Sequence, residues 1–183
     1  MNNVTIKQGF SFVEIMAIIA IIGVLTSIGL VAYGEVRKNA RDGVRVSDLD
    51  QIRLAVTASF ANDGLYPADE SIVCTQGPGQ CGVSIDDSED TINWWVQRIV
   101  GRIADPKHGE TGFSYHYDPA LPCDSSGTVV AVWARTMESD TGPNAQAVLN
   151  NICNEPMTAD PSLLNTNLTQ DSYIKIVRYI END

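Results

Sequence analysis

An uncharged run of 20 residues, Ile15 to Gly34, constrains this chain more than any other feature of its sequence. An α-helix rises about 1.5 Å per residue, so a run of this length matches a hydrocarbon core of about 30 Å. One carboxylate, Glu14, lies directly before the run, inside an apolar stretch that begins at Phe10. A charge at the centre of a membrane helix costs about 2.5–3.5 kcal/mol on insertion scales. We therefore expect a membrane-length helix in which Glu14 has a functional role and a partner.

The rest of the chain is acidic. The net charge is −11; residues 1–53 carry six Lys/Arg against five Asp/Glu, and residues 54–183 carry six against 18. Such a surface keeps a domain soluble and repels the phosphates of nucleic acid. We expect an acidic globular head over residues 64–183 that does not bind nucleic acid directly.

The apolar run differs from an ordinary secretory signal. The segment before it is weakly basic, with only Lys7, the run exceeds the usual length of about 7–15 residues, and no small-residue cleavage site follows it. An uncleaved signal anchor remains an alternative. It would hold an extracytoplasmic binding protein or enzyme, although no catalytic motif of a hydrolase or metalloprotease is present in the sequence.

The N-terminal pattern resembles a known family. A polar leader ends in Gly9, Phe10 follows, Glu14 is the fifth residue from Phe10, and an apolar helix comes next, as in type IV pilins and type II secretion pseudopilins. In that family a prepilin peptidase cuts after the glycine and methylates the new N-terminal residue. The resemblance implies a leader over residues 1–9, cleavage between Gly9 and Phe10, and methylation of Phe10.

The resemblance also suggests a role for Glu14. In a filament its carboxylate would pair with the α-ammonium of Phe10 on a neighbouring subunit, because a buried charge is tolerable only when it is paired. The alternative is that Glu14 lies at headgroup level, where the helix dipole favours an anion. Many family members carry a proline in this helix where filaments show a melted segment. Here the region has Gly23, Gly29 and Gly34 instead, each weakening a helix by about 1 kcal/mol relative to alanine.

By this resemblance the chain is a structural subunit and not an enzyme. The implied partners are prepilin peptidase, other pilin subunits, membrane lipid, and an inner-membrane assembly platform with a separate motor ATPase, since the chain lacks a phosphate-binding loop. The implied location is the cytoplasmic membrane, single-pass with the head outside, and then a periplasmic or cell-surface filament. Pilus, secretion pseudopilus and competence filament, and major or minor subunit, all remain open.

Apolar periodicity continues beyond the membrane-length run. Leu49, Val56 and Phe60 recur at helical spacing, and Asn62-Asp63-Gly64 is a typical helix end. We predict one helix from about Phe10 to Asn62, divided into a transmembrane or filament-core part over 10–34 and an amphipathic part over 35–63. A helix of about 80 Å must protrude from a domain of this size. Its basic cluster, Arg37, Lys38, Arg41 and Arg45, would face lipid phosphates, acidic neighbours or solvent.

The head is predicted from shorter patterns. Residues 68–90 have loop composition, 91–104 favour a helix, and strands are indicated near 113–117, 127–137 and 171–181. In the last strand Ile174, Ile176 and Ile180 are predicted to share one face, and His108 and His116 are expected at the surface. The expected fold is α+β, with the distal half of the long helix packed on a small antiparallel sheet, as in the pilin fold.

Four cysteines, all in the acidic part, suggest an oxidising compartment. Of three possible connectivities we favour Cys74–Cys81 with Cys123–Cys153, because each closes a loop between neighbours in sequence. Free thiols or a metal site are alternatives. The resemblance gives Cys123–Cys153 the place of the disulfide that encloses a pilin's C-terminal, partner-facing region.

No cofactor is expected in the head, with calcium as a lesser alternative. Glu138, Asp140 and Asn144 offer the hard oxygen ligands that calcium prefers, although their spacing is nonspecific.

Overall fold

A computed structural model describes residues 9–68, 71–75, 90–124, 127–139, 145–153 and 171–181. It has seven elements, which are α1 (Phe12–Asp63), β1 (Ser71–Val73), α2 (Ile92–Ile99), β2 (Tyr115–Asp124), β3 (Gly127–Ala134), α3 (Ala145–Ile152) and β4 (Tyr173–Glu181). The strands form one antiparallel sheet in the order β1-β2-β3-β4. The long helix and the antiparallel sheet confirm the predicted α+β arrangement.

The chain divides into two compact units, Met1–Lys38 and Asn39–Asp183. The first unit contains the apolar part of α1, which is long and apolar enough to cross a membrane by length and composition. The second unit contains the remainder of α1 and the whole sheet. The helix α1 continues without interruption through Gly23, Gly29, Gly34 and Gly43.

The part of α1 in the second unit buries one face against the sheet. Leu49, Ile52 and Val56 have no solvent exposure and join a core with strand residues such as Tyr115 and Val132. These apolar positions follow the 3.6-residue period that the sequence predicts. The same face also buries charged residues nearer its N-terminal end, which the sequence pattern did not indicate.

The opposite face of the sheet carries a second apolar cluster. Trp133 and Leu121 pack there with Ala145, Leu149 and Cys153 from α3 and the residue that follows it. The sheet is therefore covered on both faces, by α1 and α2 on one side and by α3 on the other. Two-sided burial explains why seven of the eight residues of β3 are buried.

The structure corrects two predictions from the sequence. A short strand, β1, lies within the stretch predicted as loop, where it pairs with β2 and its Ile72 carbonyl accepts a hydrogen bond from the buried side chain of Asn93. His116 is not at the surface. It is buried in β2 and stacks on Trp133, with ring centroids 5.4 Å apart. The strand β1 has only three residues, too few for the sequence to show the two-residue period of a strand.

A third correction concerns the last strand. The register between β3 and β4 shifts at Val130/Ala131, so Val177 is an extra residue, a β-bulge. Ile174 and Ile176 lie opposite residues of the α3 face, whereas Ile180 lies opposite Thr128, on the α1 face. The prediction that all three isoleucines share one face is wrong, because one extra residue reverses the alternation beyond it.

Candidate functional site: the apolar segment of α1

In the first unit, large apolar side chains are exposed on all sides of α1. Phe10 is 77% exposed and Phe12 is 73% exposed. Other large exposed side chains follow on all sides of the helix, including Ile15, Met16, Ile18, Ile19, Ile21, Ile22, Val24, Leu25, Ile28 and Leu30. A helix that is apolar all round is stable only when lipid or other protein covers it. This segment is therefore built to be covered.

Glu14 lies in the first turn of this helix. The carbonyl of Ser11 accepts the amide hydrogens of Glu14 and Ile15, at 3.0 and 3.2 Å, and so starts the helical ladder. The side chain of Glu14 is exposed, and in the described part of the chain it has no cationic partner. The helix dipole favours an anion at this position. In a covered segment the dipole alone would not balance a full charge.

The two hydroxyl groups in the middle of the apolar segment are already satisfied. Thr26 donates to the carbonyl of Ile22 and Ser27 donates to the carbonyl of Val24, both at 2.7 Å. Such bonds to the helix's own backbone remove the need for water. The segment can therefore enter an apolar environment with Glu14 as its principal unsatisfied group.

Tyr33 and Arg37 end the apolar segment. The guanidinium carbon of Arg37 lies 5.6 Å from the ring centroid of Tyr33, and Lys38 beside it is exposed. A tyrosine next to basic residues is typical of the boundary between hydrocarbon and water. Both basic side chains are thus exposed, as each of the three predicted surroundings of the basic cluster requires: lipid phosphates, acidic neighbours or solvent.

Arg41 and Arg45 differ from these two residues. Arg45 is fully buried in the second unit and donates to both oxygens of Asp105, at 2.7 and 2.9 Å. Its Nη1 also contacts Asp42 and Glu138. Arg41 makes a two-pronged ion pair with Glu138. We call these five residues the Arg45 network.

The Arg45 network fastens α1 to two loops of the second unit. The carboxylate of Asp42 accepts the amide hydrogens of Glu138, at 3.0 Å, and Ser139, at 2.7 Å, just beyond β3. Asp105 lies in the segment after α2, and its Oδ1 also accepts the amide hydrogen of Lys107. Bidentate arginine–carboxylate pairs are among the strongest hydrogen-bonded contacts in proteins. Ion pairs as well as apolar packing therefore stabilise the second-unit part of α1 against the rest of that unit.

Hydrogen bonds within the network shift the pKa values of three of its members, Glu138, Asp42 and Arg45. The hydrogen bond from Arg41, opposed by burial and supported by Arg45, lowers the pKa of Glu138 to about 2. Burial alone would raise the pKa of Asp42, but hydrogen bonds from Ser139, the Glu138 amide and Arg45 lower it. Burial likewise opposes the charge of Arg45, yet its bonds to Asp105 raise its pKa. These shifts keep Glu138, Asp42 and Arg45 charged near pH 7.

The other predicted site residues are only partly described. Gly9 and Phe10 are exposed, and the leader before Gly9 lies outside the described residues. Cys74 and Cys153 are buried and neither is a free thiol. Cys81 and the side chain of Cys123 lie outside the described residues, so the favoured pairing stays a prediction.

For the calcium candidates, Glu138 belongs to the Arg45 network and already contacts two arginines, while Asp140 and Asn144 lie outside the described residues. Within the described ranges no cluster of three or more acidic, histidine or cysteine side chains is arranged to hold a metal ion.

A long N-terminal helix with an outward apolar segment, followed by a four-stranded antiparallel sheet, is the α+β architecture of the pilin fold. The curated relatives agree with this class. Type IV major pilin protein PilE of Neisseria gonorrhoeae is 31% identical over 67 residues, which is 37% of this chain and 40% of that protein. A fimbrial protein of Neisseria meningitidis serogroup A is 30% identical over 67 residues, covering 37% and 39% of the two chains.

A second gonococcal protein, PilE1, is 32% identical over 63 residues, 34% of this chain and 29% of its own length. The chain thus spans less than half the length of the curated relatives it matches. No family model matches the sequence, and no solved structure gives a significant match. The predicted resemblance to type IV pilins is confirmed over part of the chain, by modest identity.

Sequence reasoning found the apolar segment and Glu14 but missed the Arg45 network. The available signal was Asp42 and Arg45 at i,i+3 spacing, in line with Leu49 and Ile52 on the core face. The sequence prediction places Arg41 and Arg45 against lipid phosphates, acidic neighbours or solvent, and charged side chains are seldom fully buried unless they are paired.

Proposed function

We propose that the chain is a structural, non-enzymatic subunit of a type IV pilus-like filament. The observation that carries this proposal is the first unit, a membrane-length helix whose described apolar side chains are exposed on every face. Before assembly, lipid would cover it. In the filament, the equivalent helices of neighbouring subunits would cover it, and burial of this apolar surface would drive assembly at about 25 cal/mol per Å².

The proposed route begins in the cytoplasmic membrane. Prepilin peptidase would cut between Gly9 and Phe10 and methylate Phe10, leaving a basic nitrogen at the new N-terminus. A platform with a separate motor ATPase would then lift the subunit into the filament. Glu14 supports this route because its carboxylate, four residues from that nitrogen in sequence, has no cation from the described part of its own chain.

Pairing between Glu14 and the neighbour's α-ammonium would set the axial register of each new subunit. A subunit placed one helical turn too high or too low would bury both charges unpaired, which is strongly unfavourable. The apolar contacts alone would permit many registers, since large aliphatic side chains repeat along the whole segment. The ion pair therefore supplies specificity and the apolar surface supplies affinity.

We also propose that the second unit faces outward and is closed by two disulfides, Cys74–Cys81 and Cys123–Cys153. Burial of Cys74 and Cys153 in a bonded form supports the oxidising compartment that this requires. Peptide mapping without reduction would test the pairing, and a peptide joining Cys74 to Cys153 would contradict it.

The mass of the mature chain, purified from a host with prepilin peptidase, tests the central proposal. We expect loss of residues 1–9 and the addition of one methyl group on Phe10, with electron microscopy showing filaments that contain the chain. A chain that keeps Met1 in the presence of active peptidase would contradict the proposal and favour an uncleaved signal anchor. The matched control is Gly9→Val, which should block cleavage.

A further inference from the structure

The bulge at Val177 brings two side chains to a place that regular alternation would not allow. Beyond it, Arg178 lies opposite Val130 and Ile180 lies opposite Thr128, both on the α1 face of the sheet. Without the extra residue both would lie on the α3 face. Bulges commonly redirect side chains beside functional sites, and this one redirects Arg178 and Ile180.

They meet the end of α1 and its turn, and together these form an open groove of about 650 Å³. Phe60 and Tyr66 stack along it with ring centroids 4.6 Å apart, and Arg178 lies over Phe60 at 5.2 Å. At its rim Leu65 is 73% exposed and Ile180 is 38% exposed. We call this the Arg178 groove. It combines a flat aromatic wall, two exposed aliphatic side chains and one cation.

Arg178 differs from four other cations of the second unit. Arg41, Arg45, Lys107 and Lys175 all make ion pairs with carboxylates. In the described part of the chain Arg178 contacts the face of Phe60 but no carboxylate. Stacking holds the guanidinium plane and leaves its edge donors available, which suits bidentate binding of a carboxylate.

We propose that the Arg178 groove docks a second copy of this chain, through a carboxylate next to an apolar side chain on that copy. The inference rests on the proposed filament, which would place copies beside one another at high effective concentration. Charge complementarity identifies the occupant. Residues 54–183 carry 18 acidic against six basic residues, so the surface that a neighbouring copy presents is predominantly acidic.

The geometry also fits a filament better than a closed dimer. The groove is one surface, and the acidic surface that fills it is a different one. Such a contact is heterologous, and repeated copies of it form open helical arrays when the rotation does not close. The groove contact would lie between heads, separate from the contacts of the apolar segments.

Photo-cross-linking in filaments of the full chain tests the proposal. Leu65→p-benzoylphenylalanine places the probe at the rim, where the native side chain is already exposed. The matched control is Gln97→p-benzoylphenylalanine, at an exposed position of α2. Irradiated filaments of the Leu65 derivative should give a cross-linked dimer of this chain, and the control should give about tenfold less. Mass spectrometry should map the second site to an acidic surface segment.

Charge variants in the same background separate the groove from filament formation. Arg178→Glu should lower the Leu65 cross-link at least about tenfold, since it brings like charges together at the contact. Arg102→Glu, which reverses another exposed arginine, should not lower it. Arg178→Gln keeps a flat group over Phe60 and serves as a second variant if the reversed charge harms folding.

The outcomes are distinguishable. A Leu65 cross-link to a second copy that depends on Arg178 supports the proposal. Filaments that form without this cross-link, or with a cross-link to a different protein, overturn it and leave the proposed function standing. A cross-link that is unchanged in both Arg178 variants also overturns the role of the arginine. A processed chain that enters no filament contradicts the proposed function itself.

Discussion

Arg45 joins the second-unit part of α1 to the rest of that unit through buried ion pairs. Its side chain has no solvent exposure, and its charge is balanced by Asp105, Asp42 and Glu138. Removing one partner of a buried ion pair leaves the others charged and unpaired, which usually costs more than the pair contributed. Removing Arg45 should therefore destabilise the fold by more than its ion pairs contribute to the stability of the native chain.

We predict that Arg45→Met lowers the free energy of unfolding of the second unit by about 3–5 kcal/mol, because Asp105 and Asp42 lose their buried partner. Urea unfolding of the full chain in detergent, followed by tryptophan fluorescence, measures this. Arg53→Met is the matched control on the same helix, where the side chain is exposed, and should change stability by about 0.5 kcal/mol or less. Equal stability of the two variants would contradict the role assigned to Arg45.

His116 makes the stability of the second unit depend on pH. Burial, with a smaller effect of Arg135, lowers its pKa from 6.5 to about 4. Above pH 6.5 the imidazole is neutral in both states, so it has no effect on stability. As the pH falls from 6.5 to 4, the unfolded chain binds a proton that the folded chain does not, and folded stability is lost.

We predict a loss of about 2–3 kcal/mol between pH 6.5 and 4.5 from this residue. His116→Phe keeps an aromatic ring against Trp133 and should remove that part of the pH dependence. His108→Asn, at an exposed histidine, should leave it unchanged. The lowered pKa of Glu138 acts below this window, between its ordinary value of 4.5 and about 2, so the two effects can be separated. A His116→Phe profile identical to that of the native chain would rule out the assignment.

At the scale of elements, α1 contains glycines that packing within the single chain does not explain. Gly23 and Gly29 are helical, and a methyl group added at either position would meet nothing within 4 Å. The single chain therefore gains nothing in packing from glycine there, while each weakens the helix by about 1 kcal/mol. This is consistent with a segment selected for local melting or for close approach by a neighbouring helix.

We predict that Gly23→Ala with Gly29→Ala slows amide hydrogen exchange across the apolar segment in detergent, by up to about tenfold for each 1.4 kcal/mol gained. Gly43→Ala, also helical with open space around it, is the control and should slow exchange only near its own position. Unchanged exchange in the double variant would show that the segment is already rigid at the glycines.

The elements that the sequence predicted best are the long ones. The helix α1 has a long apolar run followed by a 3.6-residue pattern, and strand β3 is rich in valine, so their positions could be read from the sequence alone. Strand β1 could not, because it has three residues and depends on pairing with β2 and on the side chain of Asn93. That side chain donates to the Ile72 carbonyl and accepts the amide hydrogen of Cys74, just beyond the strand. The bulge at Val177 was equally hidden, since nothing in DSYIKIVRYIE marks the residue where pairing slips. Contacts distant in sequence determine both features.

At the scale of the whole molecule, the two units have opposite surface chemistry. The first contains the uncharged run Ile15 to Gly34 with Glu14 directly before it, and the second has an acidic surface and an internal network of ion pairs. Coverage of the first unit by equivalent units would bring acidic heads together, where they repel at low ionic strength. A filament of such subunits therefore needs specific attractive contacts between heads, and the Arg178 groove is one candidate.

The final prediction concerns Glu14, at the start of the apolar segment, and its role in filament assembly. In Glu14→Gln the side chain keeps its size but cannot balance an α-ammonium, so each added subunit would bury that cation unpaired. We expect normal cleavage and the same amount of chain in the membrane, with at least about a tenfold fall in the sheared filament fraction. Immunoblots of membrane and filament fractions measure both quantities. Glu35→Gln, beyond the other end of the same apolar segment, should assemble normally. If Glu14→Gln assembles as well as the native chain, Glu14 is only a helix-terminal anion, and the register must come from the heads.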